Sequence, residues 1–547
     1  MRRGYPAAAI RAAEAPLLEA GRGPALMRTA AAGLAAVCRR DLLDTRGRIT
    51  GARVVVLAGA GNNGGDALFA GADLSRRGAH VTVVDALGRL HPVGAAALRA
   101  VGGGIEPLGA TSAPLAARAD LVIDGILGTG ATGALREPIA SLVADWQTAV
   151  AGQRAPGARR SAGARSAGRQ RVIAVDVPTG VDATTGALGA VHVRADRTVT
   201  FGGHKAGLLL PGGADASGEV TLVDIGLDLA PFRPTVEAPE PADLAARWPF
   251  PSPDMHKYTR GVLGLVAGSR RYPGAGLLTT AAAVSTGLGM LRLLAPAKVT
   301  GPVLDRCPEV VTEPGRVQAW AVGPGAPDTL LMRRAIIEAE NRSLPVAIDA
   351  GGLGLLTRPL ETTCVVTPHA GELVDLLGRL TTGVPTRAEV EADPVTHAVR
   401  AAEALAGIVV LKGRRTIIAR PDGTVVAPSP GPASLATAGS GDVLTGILGA
   451  LLATTAGDSS DGRSGRDGRS GMDGRGGMDG RGGTDGRSGP GADIALLAGL
   501  AVTVHGLAGH RTTHASGLPA AVEDIVLGLS AGHTGTGAEQ LDERSSR

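Results

Sequence analysis

Short aliphatic runs, each followed at once by a turn and several of those turns carrying a carboxylate, recur through this chain and constrain its fold more than any other feature. Arg53-Val54-Val55-Val56-Leu57-Ala58 runs into Gly59-Ala60-Gly61-Asn62-Asn63-Gly64-Gly65-Asp66. A helical pattern follows over Ala67 to Arg77, then a second strand pattern over Ala79 to Val84. That is one strand–helix–strand unit, and its right-handed crossover requires a parallel sheet. Leu121-Val122-Ile123-Asp124 ahead of Gly125 to Gly130, and Arg171 to Asp176 ahead of Val177-Pro178-Thr179-Gly180, repeat the theme. So do Gly261 to Ser269, Ala321 to Gly325, Pro345 to Asp349, Cys364 to Glu372 and Ile408 to Gly413. The expected fold class is α/β, with one sheet in each of two domains.

At 547 residues the chain is too long for one ordinary core. Aromatic residues are 2%, so the cores must be aliphatic. The net charge is only +4, and much of the arginine lies in low-complexity stretches, which indicates no nucleic-acid partner. Cys38, Cys307 and Cys364 lie far apart without metal-ligand spacing, as expected in a reducing compartment. No uninterrupted apolar run approaches the roughly 18 residues of a membrane span, so a soluble, cytoplasmic protein with no membrane partner is expected. The first domain is placed at 1–226, helical over 5–45, with a disordered insertion at about 147–170. A linker rich in Pro, Ala and Glu covers 227–253. The second domain covers 254–532 and is interrupted at about 455–491 by an Asp-Gly-Arg repeat, six residues long, from Asp461 to Gly489. That repeat lacks the alternating aliphatic residue that fills a calcium-binding β-roll, so it reads as a flexible insertion. Residues 533–547 read as a flexible tail.

In the first domain Gly59, Gly61 and Gly64 satisfy the dinucleotide fingerprint, with Asp85 about 20 residues on, where a ribose ligand would stand. Asn62 and Asn63 crowd that loop, however, and Asp66 puts a carboxylate where a pyrophosphate would sit. Amides and a carboxylate suit a sugar-like polar group or a cation better. At the carboxyl ends of parallel strands, Asn63, Asp124 and Thr179 offer hard oxygens to a cation and leave Asp176 for proton transfer. The plainer reading is that Asp124 and Asp176 only fix turns.

In the second domain Thr437-Ala438-Gly439-Ser440-Gly441-Asp442 feeds an apolar helix expected from Val443 to Leu452. Unpaired amides and the helix dipole make such a turn an anion site. Asp442 there is either an N-cap or a base that takes a proton from an acceptor hydroxyl during phosphoryl transfer. His369, in Thr367-Pro368-His369-Ala370-Gly371-Glu372, is either a satisfied structural histidine or a ligand contact. Lys412 is either a solvated strand end or a phosphate holder.

Four motifs in order carry a family resemblance. They are Gly61 to Asp66, Val175-Asp176-Val177-Pro178-Thr179-Gly180, Thr367 to Glu372 and Gly439 to Asp442. Residues 1–226 resemble the NAD(P)H-hydrate epimerases, with a Rossmann-like three-layer αβα fold. Residues 254–532 resemble the ADP-dependent NAD(P)H-hydrate dehydratases of ribokinase-like fold. Together they resemble the bifunctional nicotinamide-nucleotide repair enzymes.

The resemblance implies epimerisation of R- and S-NAD(P)H-hydrate, and ADP-dependent dehydration of the S epimer to NAD(P)H with release of AMP and phosphate. It implies Asp176 and Asp442 as catalytic groups. Asn62, Asn63, Gly64, Gly65, Asp66, Gly128, Thr129, Gly130, Ala131, Thr132, Gly133, Ala134 and Asp176 would bind the hydrate in the first domain. Ala275, Gly325, His369 and Asp442 would do so in the second. Lys412, Gly413, Arg414, Arg415 and Thr416, with Gly439, Ser440 and Gly441, would hold ADP or ATP. Potassium would sit on Asn63, Asp124 and Thr179, and Mg2+ would accompany the nucleotide. NADH-hydrate, NADPH-hydrate and ADP are the expected small-molecule partners, and a homo-oligomer the expected assembly. Thr179 stands where the family usually has serine. Asp349-Ala350-Gly351-Gly352-Leu353-Gly354 replaces a more polar Asp-Ala-Asp-x-Leu-Asn, and Gly431-Pro432 a Gly-Asn. A ribokinase-like small-molecule kinase fused to a nucleotide-binding domain, or a non-catalytic nucleotide sensor, are the alternatives.

Overall fold

The computed structural model describes residues 1–130, 133–154, 170–326, 330–460 and 493–533. The chain divides into two compact units, Arg2–Glu237 and Ala238–Arg547, with Met1 falling in the second. The division falls inside the stretch expected to be a linker, which carries the strand Val236–Ala238 and the helix Pro241–Arg247. Proline at the first helical position, with the Asp243 carboxylate accepting from the Glu240 amide at 2.8 Å, starts a helix where composition alone suggested none.

The edges of both expected insertions are helical. Ile139–Arg154 takes in residues 147–154, and Ser440–Ser460 takes in 455–460. A buried stripe of Ile139, Leu142, Val143 and Trp146 anchors the first of these, and helix growth from such a nucleus is cheap. The remainder of both insertions lies outside the described residues. So does the expected tail beyond His533, the last residue of the helix Leu518–His533. The amino terminus is not one helix but a strand, Arg2–Tyr5, followed by the helices Ala7–Glu19 and Gly23–Arg46.

The first unit is built on a seven-stranded sheet. Its order is Gly104–Pro107, His80–Asp85, Arg53–Ala58, Leu121–Gly125, Arg171–Val175, Arg197–Phe201 and Glu219–Val223, parallel throughout. Successive side chains of Arg53–Ala58 go to opposite faces, as the two-residue period of a strand requires. Val54, Val56 and Ala58 pack with Leu34 and Cys38 of Gly23–Arg46 and Leu68 of the helix Asn62–Arg76. Val55 and Leu57 pack with Leu142 and Trp146 on the other side. The result is a three-layer αβα unit, as expected.

In the second unit six parallel strands run in the order Met290–Leu293, Val262–Val266, Ala319–Val322, Val346–Ile348, Cys364–Val366 and Ile408–Leu411. Ile417–Ala419 and Val425–Val426 then add antiparallel. The helix Ser440–Ser460 is buried along its length by Val443, Ile447, Leu448 and Leu451. It begins at Ser440 rather than Val443, which brings Asp442 inside the first turn. A Cβ at Gly446 would lie 2.3 Å from the Thr279 carbonyl oxygen, so only glycine permits this approach to the helix Pro273–Ser285. Among the described residues Ile494–Arg511, 18 residues long, is the one helix apolar and long enough to cross a membrane. It is apolar on all sides because it is a core helix of this unit, with Leu497, Leu500, Val504 and Ala508 all buried.

Candidate active sites

In the first unit a cavity of about 770 Å3 opens where the strands Arg53–Ala58, Leu121–Gly125 and Arg171–Val175 end. Asn62, Asn63, Gly64, Asp66, Gly128, Thr129, Gly130 and Asp176 all line it. Gly65 lies against its wall, where a Cβ would meet His91 and the Met27 methyl at 3.0 and 3.1 Å. Gly133 and Ala134 line a neighbouring hollow that Gly130 shares, and Ala131 and Thr132 lie outside the described residues. Asp85 faces no such site: its Oδ1 accepts from the Leu87 and Arg89 amides at 3.3 and 3.1 Å and fixes the turn.

Asp176 sits at φ 69°, a left-handed conformation that costs a residue with a Cβ roughly 1 kcal/mol or more. Its amide donates to Val199 O at 2.7 Å, which holds the turn. Its Oδ1 accepts from the Thr200 hydroxyl at 3.0 Å and from the ammonium of Lys205. Lys205 is 2% exposed, and its Nζ also donates to Thr200 Oγ1 at 3.1 Å and Phe201 O at 2.9 Å.

Below the cavity Asp124 is fully buried. Its Oδ1 accepts from the Thr179 hydroxyl at 2.7 Å and its Oδ2 from the Thr179 amide at 2.8 Å. Leu127 joins this pair to Asn63: its amide donates to Thr179 Oγ1 at 3.3 Å, and its carbonyl accepts from Asn63 Nδ2 at 3.3 Å. Gly128 permits this, since a Cβ there would lie 2.5 Å from Asn63 Nδ2. Burial pushes the Asp124 carboxyl up, and no lysine or arginine pairs with it among the described residues. A buried carboxylate with hydrogen bonds but no counter-charge, beside a hydroxyl and an amide, has the chemistry of a cation corner. The residues present therefore fit the expected ion.

In the second unit the Gly439 turn, at φ 90°, delivers Ser440, Gly441 and Asp442 to the start of the long helix. Ser440 Oγ lies 3.1 Å from Nε2 of the buried His505, whose ring burial holds neutral by pushing it down to about 4. Asp442 makes no hydrogen bond or ion pair with any described residue, and it is half-buried. Burial, then the charge of Asp349, pushes it up to about 6, against the opposing pull of Lys412.

Lys412 Nζ is 3.5 Å from where a Gly441 Cβ would stand, so the lysine does reach the anion turn. It donates to Asp349 Oδ1 at 2.7 Å and lies 3.9 Å from Glu372 Oε2. Asp349 Oδ2 accepts from the Thr445 hydroxyl at 2.9 Å. Gly413 to Thr416 form the hairpin loop beyond Lys412, with Arg414 exposed and Arg415 half-buried. Gly325 packs on Ala275, where a Cβ would approach to 2.4 Å. Leu278, on the same helix as Ala275, lies against Gly439. His369 caps the helix Ala370–Leu380 through Nδ1, which accepts from the Glu372 amide at 3.1 Å, while the imidazole stays exposed. It is thus a structural cap that also shows its ring to solvent.

Several residues of these sites carry no signal in the sequence. Lys205 follows an unremarked Gly-Gly-His, Glu14 arrives on the amino-terminal helix, and Asp349 is one strand-end acid among many. Lys205 meets Asp176 across 29 positions and Asp349 meets Lys412 across 63, separations that no local pattern records.

Two α/β units, one with a lysine-paired acid near a buried carboxylate and one with an open acid at a helix start, have the form of an enzyme with a site in each unit. Residues 23–207 match the family model described as YjeF-related protein N-terminus, and residues 263–463 match that of NAD(P)H-hydrate dehydratase. The chain belongs to the family of bifunctional NAD(P)H-hydrate repair enzymes. It is 42% identical to the bifunctional NAD(P)H-hydrate repair enzyme Nnr of Mycobacterium tuberculosis, over 83% of this chain and 90% of that protein. It is 46% identical to the NAD(P)H-hydrate epimerase of Clavibacter michiganensis, over 43% of this chain and 95% of that protein. The ADP/ATP-dependent NAD(P)H-hydrate dehydratase of Bacillus subtilis, co-crystallised with ATP/Mg2+, is 24% identical, with a TM-score of 0.42 over 55% of this chain and 99% of its own.

Proposed function

We propose that the chain repairs hydrated nicotinamide nucleotides in two half-reactions. The first unit interconverts the R and S epimers of NADH- and NADPH-hydrate at the hydrated ring carbon, with Asp176 as acid/base. The second acts on the S epimer. Asp442 takes the proton of the ring hydroxyl, which attacks the β-phosphate of ADP lying against the Gly439–Gly441 turn and Lys412. AMP departs, and the phosphate ester then leaves as inorganic phosphate, restoring the ring double bond. Esterification turns hydroxide into a good leaving group, which is why a kinase-like fold serves a dehydration.

The observation that carries this reading is the carboxylate of Asp442, unpaired at the mouth of an anion-binding helix start. A mere N-cap would be bonded to the amides it caps. Asn63, Asp124 and Thr179 would hold potassium, which supplies the counter-charge that Asp124 otherwise lacks. Asp349 is committed to Lys412 and Thr445, so Mg2+ belongs with the phosphates of the bound nucleotide rather than with a protein cage. We place the enzyme in the cytoplasm as a homo-oligomer.

Incubating R- and S-NADH-hydrate separately with ADP and following the return of nicotinamide absorbance tests the whole reading. Both epimers should be consumed, the R epimer through the S. A stable phosphoester would mark a kinase instead, and binding without turnover a sensor. Exchanging KCl for choline chloride should slow the epimerisation step; a rate indifferent to potassium would count against the cation corner.

A further inference from the structure

Asp66, expected only to bind the hydrate, has no part in the proton transfer of this reading. It is 4% exposed, lines the same cavity as Asp176 and Lys205, and its Oδ1 has no hydrogen-bond partner. A buried carboxylate oxygen without a donor is unfavourable, and less so if the group keeps its proton. The surrounding charges favour that outcome. Glu14, Asp66, Asp176 and Lys205 line one cavity, and Lys205 is held by Asp176. His91, whose Nδ1 accepts from the Gly94 amide, and Arg11 and Arg28 stand round the rest of the wall. Arg11 is turned to Thr129 O at 2.9 Å.

Burial first, then the negative charges of Asp176 and Glu14, push Asp66 up to about 8. Burial thus favours the protonated acid at Asp66, which has an O–H to give, in the cavity it shares with Asp176. Two acids that line one pocket in unlike surroundings, Asp66 with an unpartnered oxygen and Asp176 paired with Lys205, are an arrangement that general acid–base chemistry uses.

We propose that Asp66 is the proton donor and Asp176 the proton acceptor of the epimerisation, a proton-transfer pair within one cavity. The proposal rests on the epimerase reading and deepens it. The hydrated carbon of the substrate is bonded to the ring nitrogen. Asp66 protonates the hydroxyl, the C–O bond breaks, and water leaves as the nitrogen lone pair forms a C=N bond. That cation is planar at the former stereocentre. Water adds to its other face, closing a new C–O bond while its proton passes to the Asp176 carboxylate. One water leaves, one enters, and one proton moves from Asp66 to Asp176. The reverse reaction, or exchange with solvent through the open cavity, returns it.

Asp66→Asn keeps the shape and neutrality of the protonated acid but has no acidic proton. It should slow exchange of the epimers by about 2–4 decades while S-NADH-hydrate is still consumed with ADP at the wild-type rate. In the wild type, epimerisation should decline as pH rises through about 8, and the residual rate of Asp66→Asn should lack that limb. Epimerisation in oxygen-18 water should label the ring hydroxyl. Stability gives a readout free of activity. A proton held in the fold above the ordinary carboxylate range is lost on unfolding, so the contribution of Asp66 to stability should fall as pH rises from about 4 to about 8. Urea midpoints of Asp66→Asn should show less of that fall. Epimer exchange within tenfold of wild type in Asp66→Asn, or an unlabelled hydroxyl, overturns the proposal. A wild-type chain that exchanges no epimers at all overturns the epimerase reading beneath it.

Discussion

Asp442→Asn should bind ADP as the wild type does and dehydrate S-NADH-hydrate about 2–4 decades more slowly. The side chain has no structural partner to lose, so the substitution removes a base and little else. Binding of the nucleotide should if anything tighten, because a negative charge beside the phosphates has gone. The pH dependence carries the same assignment. A base works only when deprotonated, and Asp442 is raised to about 6 by burial and by Asp349. Dehydration by the wild type should therefore fall as pH drops through about 6, well above the ordinary aspartate range. Lys412→Met, which removes the opposing positive charge, should move that limb to higher pH, although the nucleotide will also bind less well. Turnover near the wild-type rate in Asp442→Asn would take this residue out of the chemistry.

Lys205→Met should be the most damaging single change in the first unit. Lys205 and Asp176 are both buried, and breaking such a pair from one side typically costs about 3–5 kcal/mol, because the remaining charge is left without compensation. Glu14 worsens the case, since Lys205 also offsets its charge against that of Asp176. Urea unfolding should show the loss, and epimer exchange should vanish with it. The double variant Asp176→Asn, Lys205→Met should recover much of the stability and none of the activity. Stability of the single variant within about 1 kcal/mol of wild type would show that the ion pair does not hold this site together.

How far each element was legible in the sequence follows from the range of the forces that make it. Val54 to Ala58 and Val172 to Val175 announce buried parallel strands because residues on both faces must meet a hydrophobic layer. Gly128 and Gly439 are readable for a similar reason: a close approach and a left-handed backbone each tolerate little else. The helix Pro241–Arg247 was not legible, since a capping box of Glu240 and Asp243 competes with a composition typical of linkers. The helical edges of the two insertions were missed because helices extend cooperatively beyond the residues that nucleate them.

Taken alone, the order of residues determined two α/β domains, the turns that end their strands, and the acids Asp124, Asp176 and Asp442 at those ends. Such features are local, written within a few residues of one another. Only the tertiary structure decided which charges meet. It set Lys205 on Asp176, Asp349 on Lys412, and Glu14 from the amino-terminal helix across the cavity from Asp66. Protonation follows from burial and from neighbours brought together across long stretches of chain, so the role of each acid is a property of the fold rather than of its motif.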